Sequence, residues 1–215
     1  MNPSSDSCVA SAIEIRTARA DDRGPIAELM FSSAVDLYSY LYQDRALDFL
    51  RYEFASGIGI AGYPNVTVAV LNGDVVGVGC FYDLAQCQKF RQESFVNLQQ
   101  FFDSTELPAV FERFKPLREY VQPPGEGELY LANFGVAPAL RSRGIGAQML
   151  QQKIAWARSN GYAVFGLDVS VRNPRGQALY TRLGLSVRRE INFPLASADL
   201  PAARKMELVL SKLPR

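Results

Sequence analysis

The chain has 215 residues, 48% of them hydrophobic, with 23 Lys+Arg against 22 Asp+Glu and a formal net charge of +1. That supplies enough apolar material for a sizeable core, and the near-neutral balance excludes nucleic-acid binding by bulk charge. There is no histidine, and the three cysteines (Cys8, Cys80, Cys87) form neither a disulfide framework nor a ligand pattern, so imidazole chemistry and a metal site are not expected.

Residues 1–11 are polar and Ser-rich and read as a flexible tail. Ile13-Glu14-Ile15-Arg16 alternates like a short strand. Asp21 or Asp22 then caps a helix with Pro25 early in its first turn, and Ala34 to Phe54 continues as a helix rich in tyrosine. Val66 to Leu71, Asn72-Gly73-Asp74 and Val75 to Tyr82 form a strong hairpin signal. Cys80 in its second strand reads as a small buried hydrophobe.

From Leu84 to Gly127 the pattern changes. Gln86 to Phe102 and Leu107 to Tyr120 read as two helices carrying Phe90, Phe95, Phe101, Phe102, Phe111 and Phe114. So many aromatics must be buried by the chain's own core, by a partner subunit, or as a lid over an apolar pocket. Glu128 to Gly135 is the next strand. Leu150, Ile154 and Ala157 then fall at helical spacing, stopped by Gly161. Ala163 to Val169 reads as a doubly covered central strand and Asn173-Pro174 opens a helix ending at Gly184. Leu185 to Phe193 and Lys205 to Leu210 close the chain as strands. The sum is a mixed α/β (α+β) single domain over residues 12–215, with a helical insertion at about 84–127. No signal peptide and no bilayer-length apolar run is present, so the expectation is a soluble cytoplasmic protein without membrane attachment.

Charge is lopsided: residues 1–125 carry 10 basic and 16 acidic side chains, and residues 126–215 carry 13 and 6. A basic C-terminal part suits an anionic cofactor, and an acidic N-terminal part suits a cationic acceptor such as an amine; two solvated surfaces of opposite sign are an equal reading. The basic part contains Arg141-Ser142-Arg143-Gly144-Ile145-Gly146-Ala147, a glycine-containing turn between a strand and a helix. Unpaired N–H groups and the positive dipole end make such a helix start an anion site, which two arginines reinforce. The ligand should carry phosphates. A P-loop is excluded because no Gly-Lys pair exists, and a dinucleotide fingerprint because Met149 stands where its third glycine belongs.

What remains is [Q/R]-x-x-G-x-[G/A], filled by Arg141, Gly144 and Gly146. With Asn133-Phe134-Gly135-Val136-Ala137-Pro138 before it, the N-x6-Y-x3-G pattern of Asn173, Tyr180 and Gly184, and the closing Met206-Glu207-Leu208, the chain resembles the GNAT superfamily of acyl-CoA-dependent N-acetyltransferases. The resemblance covers nearly the whole chain and implies a central mixed, mostly antiparallel sheet flanked by helices; the insertion departs from the minimal pattern. It implies acetyl-CoA as acyl-donor cosubstrate, bound by Phe134, Gly135, Val136 and Ala137 along the pantetheine arm. Arg141, Ser142, Arg143, Gly144, Ile145, Gly146 and Ala147 would wrap the pyrophosphate, with Asn173 on the pantetheine and Tyr180 near the thioester sulfur. The implied activity is acetyl transfer to a primary amine of a small molecule or protein by direct attack, the alternative being a non-catalytic acyl-CoA-binding or protein-interaction domain. A homodimer is one assembly the sequence allows.

The chemistry asks for an oxyanion donor, met by a backbone N–H near Val136, and an acid for the thiolate, met by Tyr180. The general base is open. Glu128 and Tyr130 share one face of the loop strand, but a water chain, Asp83 or Glu53 serves as well. Glu128 is expected at the exposed surface, and Asp168 to cap or salt-bridge.

Overall fold

The hairpin turn fixes the first half of the sheet: Asn72 and Gly73 both have positive φ, 55° and 89°, the backbone that returns a right-twisted strand on itself. The computed structural model describes residues 13–195 and 198–210, so the expected tail at 1–11 lies outside the described residues. In chain order the strands are β1 (Glu14–Thr17), β2 (Val66–Leu71), β3 (Asp74–Tyr82), β4 (Glu128–Val136), β5 (Val164–Ser170), β6 (Ser186–Ile191) and β7 (Ala203–Val209). They form one sheet in the order β1-β2-β3-β4-β5-β7-β6. The β4–β5 pair is parallel and every other pair antiparallel, as expected for a mixed, mostly antiparallel sheet.

The helices are α1 (Ile26–Phe31), α2 (Val35–Tyr42), α3 (Ala46–Ser56), α4 (Leu84–Phe101), α5 (Leu107–Phe114), α6 (Leu117–Tyr120), α7 (Ile145–Ser159) and α8 (Pro174–Arg182). Among the described residues, none is long and apolar enough to cross a membrane. Leu29, Met30 and Leu50 of α1 and α3 pack with Val68, Val78 and Cys80 on one face of the sheet. On the other, Leu150, Ile154 and Ala157 of α7 pack with Leu131, Phe165, Leu167 and Met206. Helix on sheet on helix buries each amphipathic stripe.

Four details differ from the sequence reading. Neither Asp21 nor Asp22 caps α1; Asp22 is held by the Arg16 guanidinium through bonds of 2.9 and 2.6 Å and by the Arg19 N–H. The single helix expected from Ala34 to Phe54 is two, because Gln43 at φ 54° ends α2 and a 3₁₀ turn, Gln43–Arg45, leads into α3. The second insertion helix also breaks, at Pro116, which lacks the N–H that helix continuation needs. The start of α4 is two residues earlier than read, because Asp83 and Gln86 form a capping box there.

The aromatic insertion is buried largely by the chain itself. Leu98, Phe102, Val110, Leu117 and Tyr120 cluster with Leu41, Tyr42 and Phe49 of α2 and α3. Arg45 is laid over the Phe101 ring, 4.8 Å from its centroid, and pairs with Glu106. That leaves a few aromatics, such as Phe95 at 46% exposure, at the rim of a large cavity.

Candidate functional site

β4 and β5 stay paired only from Glu128↔Val164 to Leu131↔Leu167. Beyond that level β4 follows β3 to Val136 and β5 follows β7 to Ser170, so the two parallel strands part and a wedge opens between them. A bulge sits at the parting point: Phe81 faces Leu131 and Cys80 faces Asn133, leaving Ala132 as the extra residue. The Ala137 N–H donates to Val76 O at 2.8 Å, so two-residue alternation turns the N–H groups of Phe134 and Val136 toward the wedge. Gly135 is needed for a different reason. A Cβ there would stand 2.3 Å from Leu29 O, so only glycine lets α1 lie this close to the strand.

The basic turn follows at once. Pro138–Leu140 makes a 3₁₀ turn, Ser142 sits at φ 64°, and Gly144 at φ 87° is the N-cap of α7. Among the described residues no side chain caps α7, so the N–H groups of Ile145, Gly146 and Ala147 are left free by the helix and face outward at its positive end. Nothing lies within 4 Å of where a Gly144 Cβ would be, which is open ligand space rather than packed core. Arg141 Nε donates to Val136 O at 3.0 Å, and Arg175 donates to Ser142 Oγ at 2.9 Å, tying the turn to the start of α8.

One cavity of about 1210 Å³ joins this turn to the wedge and to the insertion. Phe134, Gly135, Val136, Arg141, Ser142, Gly144, Ile145, Gly146, Ala147, Asn173 and Tyr180 are on its wall, whereas Ala137 and Arg143 are not. Asn173 caps α8 by accepting from the Gly176 N–H at 2.8 Å. Tyr180 is buried and, among the described residues, its hydroxyl has no hydrogen-bond partner; burial lifts its phenol above the ordinary range, so it holds its proton.

A family model described as the acetyltransferase (GNAT) family matches residues 28–185. The chain belongs to that family. A search of curated proteins found no match. Among solved structures, the chain is similar in fold to an N-acetyltransferase from Staphylococcus aureus Mu50, at TM-score 0.71 and 19% identity over 91% of this chain and 100% of that one. It is also similar to the ribosomal-protein-S18-alanine N-acetyltransferase from Escherichia coli, at TM-score 0.51 and 16% identity over 94% and 97%. The Salmonella typhimurium protein yncA, solved with its cofactor acetyl-CoA, aligns at TM-score 0.51 and 19% identity over 94% and 96%.

Within this GNAT chain the carboxylates fall differently from the sequence reading. Glu128 is not at the exposed surface: it is buried, pairs with the Lys205 ammonium and accepts from the Gly125 N–H at 2.8 Å, off the cavity wall. The reason is Lys205, which β7 brings across the sheet and which a buried carboxylate needs. Tyr130 is on the wall, but its hydroxyl donates to Asp168 Oδ2 at 2.8 Å and its ring lies 4.7 Å from Lys205 Nζ. Burial holds that phenol well above its ordinary pKa, so it is no base near neutrality. Asp83 caps α4 and accepts from Tyr162, away from the cavity.

Glu53 is different. It is buried on α3, lines the cavity, and is held by Ser94 Oγ and Asn97 Nδ2. Desolvation pushes its carboxyl up to about 7. The signal was present in the sequence as an acid on an apolar stripe with Phe49 and Leu50. One role was not read from the sequence: Asn133, named there only as part of the motif, donates to Tyr38 Oη at 2.6 Å and Ser33 Oγ at 3.0 Å on the cavity side of β4.

Proposed function

We propose that this GNAT chain is an acetyl-CoA-dependent N-acetyltransferase that moves the acetyl group to a primary amine by direct attack within a ternary complex. The observation that carries the reading is the start of α7, uncapped among the described residues, opening into the same cavity as the β4–β5 wedge and the Tyr180 hydroxyl, which has no partner among them. A diphosphate at α7 would be met by the N–H groups of Ile145, Gly146 and Ala147 with Arg141 alongside. The pantetheine arm, an extended chain with amide groups, would then run along β4 like an added strand, pairing with the edge groups of Phe134 and Val136. Asn173 would reach the same arm with the Nδ2 its cap leaves over.

The thioester carbonyl would lie where the strands part. The Val136 N–H serves the oxyanion that forms when the amine attacks, and Tyr180 gives its proton to the leaving thiolate. The parting itself is functional: a paired β4–β5 edge has no free N–H to offer. Glu128 takes no step in this scheme, because its charge is already matched by Lys205.

The test is release of free CoA thiol from acetyl-CoA, followed over a panel of primary amines, with mass spectrometry of the acceptor. Amine-dependent release with a gain of one acetyl group on nitrogen is expected. Tight CoA binding with release at background across the panel would overturn the enzyme reading in favour of an acyl-CoA-binding domain.

A further inference from the structure

Among the described residues, three carboxylates line the cavity: Asp36, Glu53 and Asp168. Two are already committed. Asp36 lies 3.7 Å from the Arg172 guanidinium at an exposed position, and Asp168 takes the Tyr130 hydroxyl. Asp168 also lies in the field of the Lys205 and Arg189 cations, whereas Glu53 has only neutral hydrogen-bond partners, among them Ser94 and Asn97, and no cation acting on it among the described residues. A buried carboxylate without a cation, open to a cavity, is a site waiting for one.

The walls around it limit what that cation can be. Phe49, Leu98, Phe111 and Phe114 of α3 and the insertion make this end of the cavity largely apolar beside the Tyr38 and Tyr42 phenols of α2, so it suits an apolar ring better than a polyhydroxylated body. The other charges the insertion contributes to the wall are Arg91, Lys115 and Arg118, all positive. A ligand with several ammonium groups would find one carboxylate not already matched by a cation and three repelling cations, whereas a single ammonium on an apolar body would find both its needs met.

Resting on the acyltransferase reading, we infer that the acceptor is a monoamine with an aromatic or similarly apolar body, held in the insertion compartment with its nitrogen at Glu53, which acts as the general base. The amine arrives as an ammonium and gives one proton to Glu53, which later passes it to solvent. The neutral nitrogen then bonds to the thioester carbon and the C–S bond breaks. The second N–H proton is lost as the amide forms, balancing the proton that Tyr180 gives to sulfur. Raising the carboxyl to about 7 suits that role, since the group is then both ionised and basic near neutral pH. The titratable groups facing it are Glu93 on α4, which is paired with Lys89, Tyr38 and Tyr42 on α2, and Cys80 on β3. The three last named have burial-raised pKa values and stay neutral. Glu93 is the one nearby acid that adds to the upward push.

The experiment measures acetyl-CoA affinity by calorimetry, then kcat/KM for 2-phenylethylamine, spermidine and an alanine-terminated peptide. Expected is acetyl-CoA binding with 2-phenylethylamine preferred by about tenfold or more, from burial of its ring. Glu53→Gln, which keeps an acceptor for Ser94 and Asn97, should lower kcat/KM about 100-fold. It should also erase the rise in kcat/KM near pH 7, leaving only the limb of the amine itself and CoA affinity intact. Phe95→Ala, at the exposed rim and stacked on Phe111, should raise KM for 2-phenylethylamine more than for methylamine. A preference for spermidine or the peptide, or a pH 7 limb that survives in Glu53→Gln, overturns this inference and leaves the acyltransferase standing. Failure of the wild-type chain to bind acetyl-CoA overturns both.

Discussion

Tyr130 Oη donates to Asp168 Oδ2 across 2.8 Å at the level where β4 and β5 lose their pairing. The bond replaces the missing backbone ladder as the last tie between the strands before the wedge opens. Among the described residues Asp168 Oδ1 is buried without a partner, and the Tyr130 hydroxyl is the side-chain donor that Oδ2 has. Tyr130→Phe should therefore cost about 1–3 kcal/mol, the penalty of orphaning a buried acceptor. Urea unfolding measures it; a loss near zero would mean that water reaches Asp168 freely.

The pair behind that tie is Glu128 with Lys205, both nearly buried, with side-chain exposures of 8% and 11%. Lys205→Met strands the carboxylate and should destabilise by about 3–5 kcal/mol, while Glu128→Gln combined with Lys205→Met should recover much of that. The double-mutant cycle by chemical denaturation reads the coupling. Additive losses would place the two charges in water rather than in each other's field.

Glu53 makes stability fall with rising pH. Its folded carboxyl is raised from 4.5 to about 7, so the native state binds the proton more tightly than the unfolded chain does. This group favours folding fully below about pH 4.5, and that favour drains away as pH climbs through about 7, by up to roughly 3 kcal/mol. Glu53→Gln should thus gain stability relative to wild type between pH 5 and 8, read as midpoints of denaturation at several pH values. Parallel curves would show that the carboxyl is solvated.

Tyr180→Phe removes one oxygen and nothing else from the wall of the cavity. Because its hydroxyl has no hydrogen-bond partner among the described residues, its loss should leave stability and CoA affinity nearly unchanged. Turnover should fall about 100-fold if that proton goes to sulfur. Steady-state kinetics beside calorimetry separates the two effects, and equal turnover in wild type and variant would strip Tyr180 of the acid role.

What the sequence made legible was local chemistry. Asn72-Gly73, the uncapped glycine turn before α7, and the Asn173 cap are each decided within a few residues of themselves, and each stands as read. The distant partners were not legible. Glu128 looked like a surface acid because nothing near it in the chain compensates its charge; Lys205 does so from 77 residues away. Glu53 could be named as one carboxylate among several, but its burial depends on α4 closing over it with Ser94 and Asn97. Asn133 was named only as part of the strand motif, and its place on the cavity side was hidden because the bulge at Ala132 shifts the side-chain alternation that a strand reading assumes.

The central claim is that the main chain at the start of α7 grips the diphosphate of coenzyme A, and Gly144→Asp tests it most directly. The substitution sets a carboxylate in the space now open above that helix end and strains a residue at φ 87°. Gly144→Asn, with the same shape and tolerance for that backbone but no charge, is the control. Isothermal titration with acetyl-CoA should show the Asp variant binding about 100-fold or more weaker than wild type and clearly weaker than the Asn variant. Wild-type affinity in a Gly144→Asp protein that melts normally would put the diphosphate somewhere else and contradict the account.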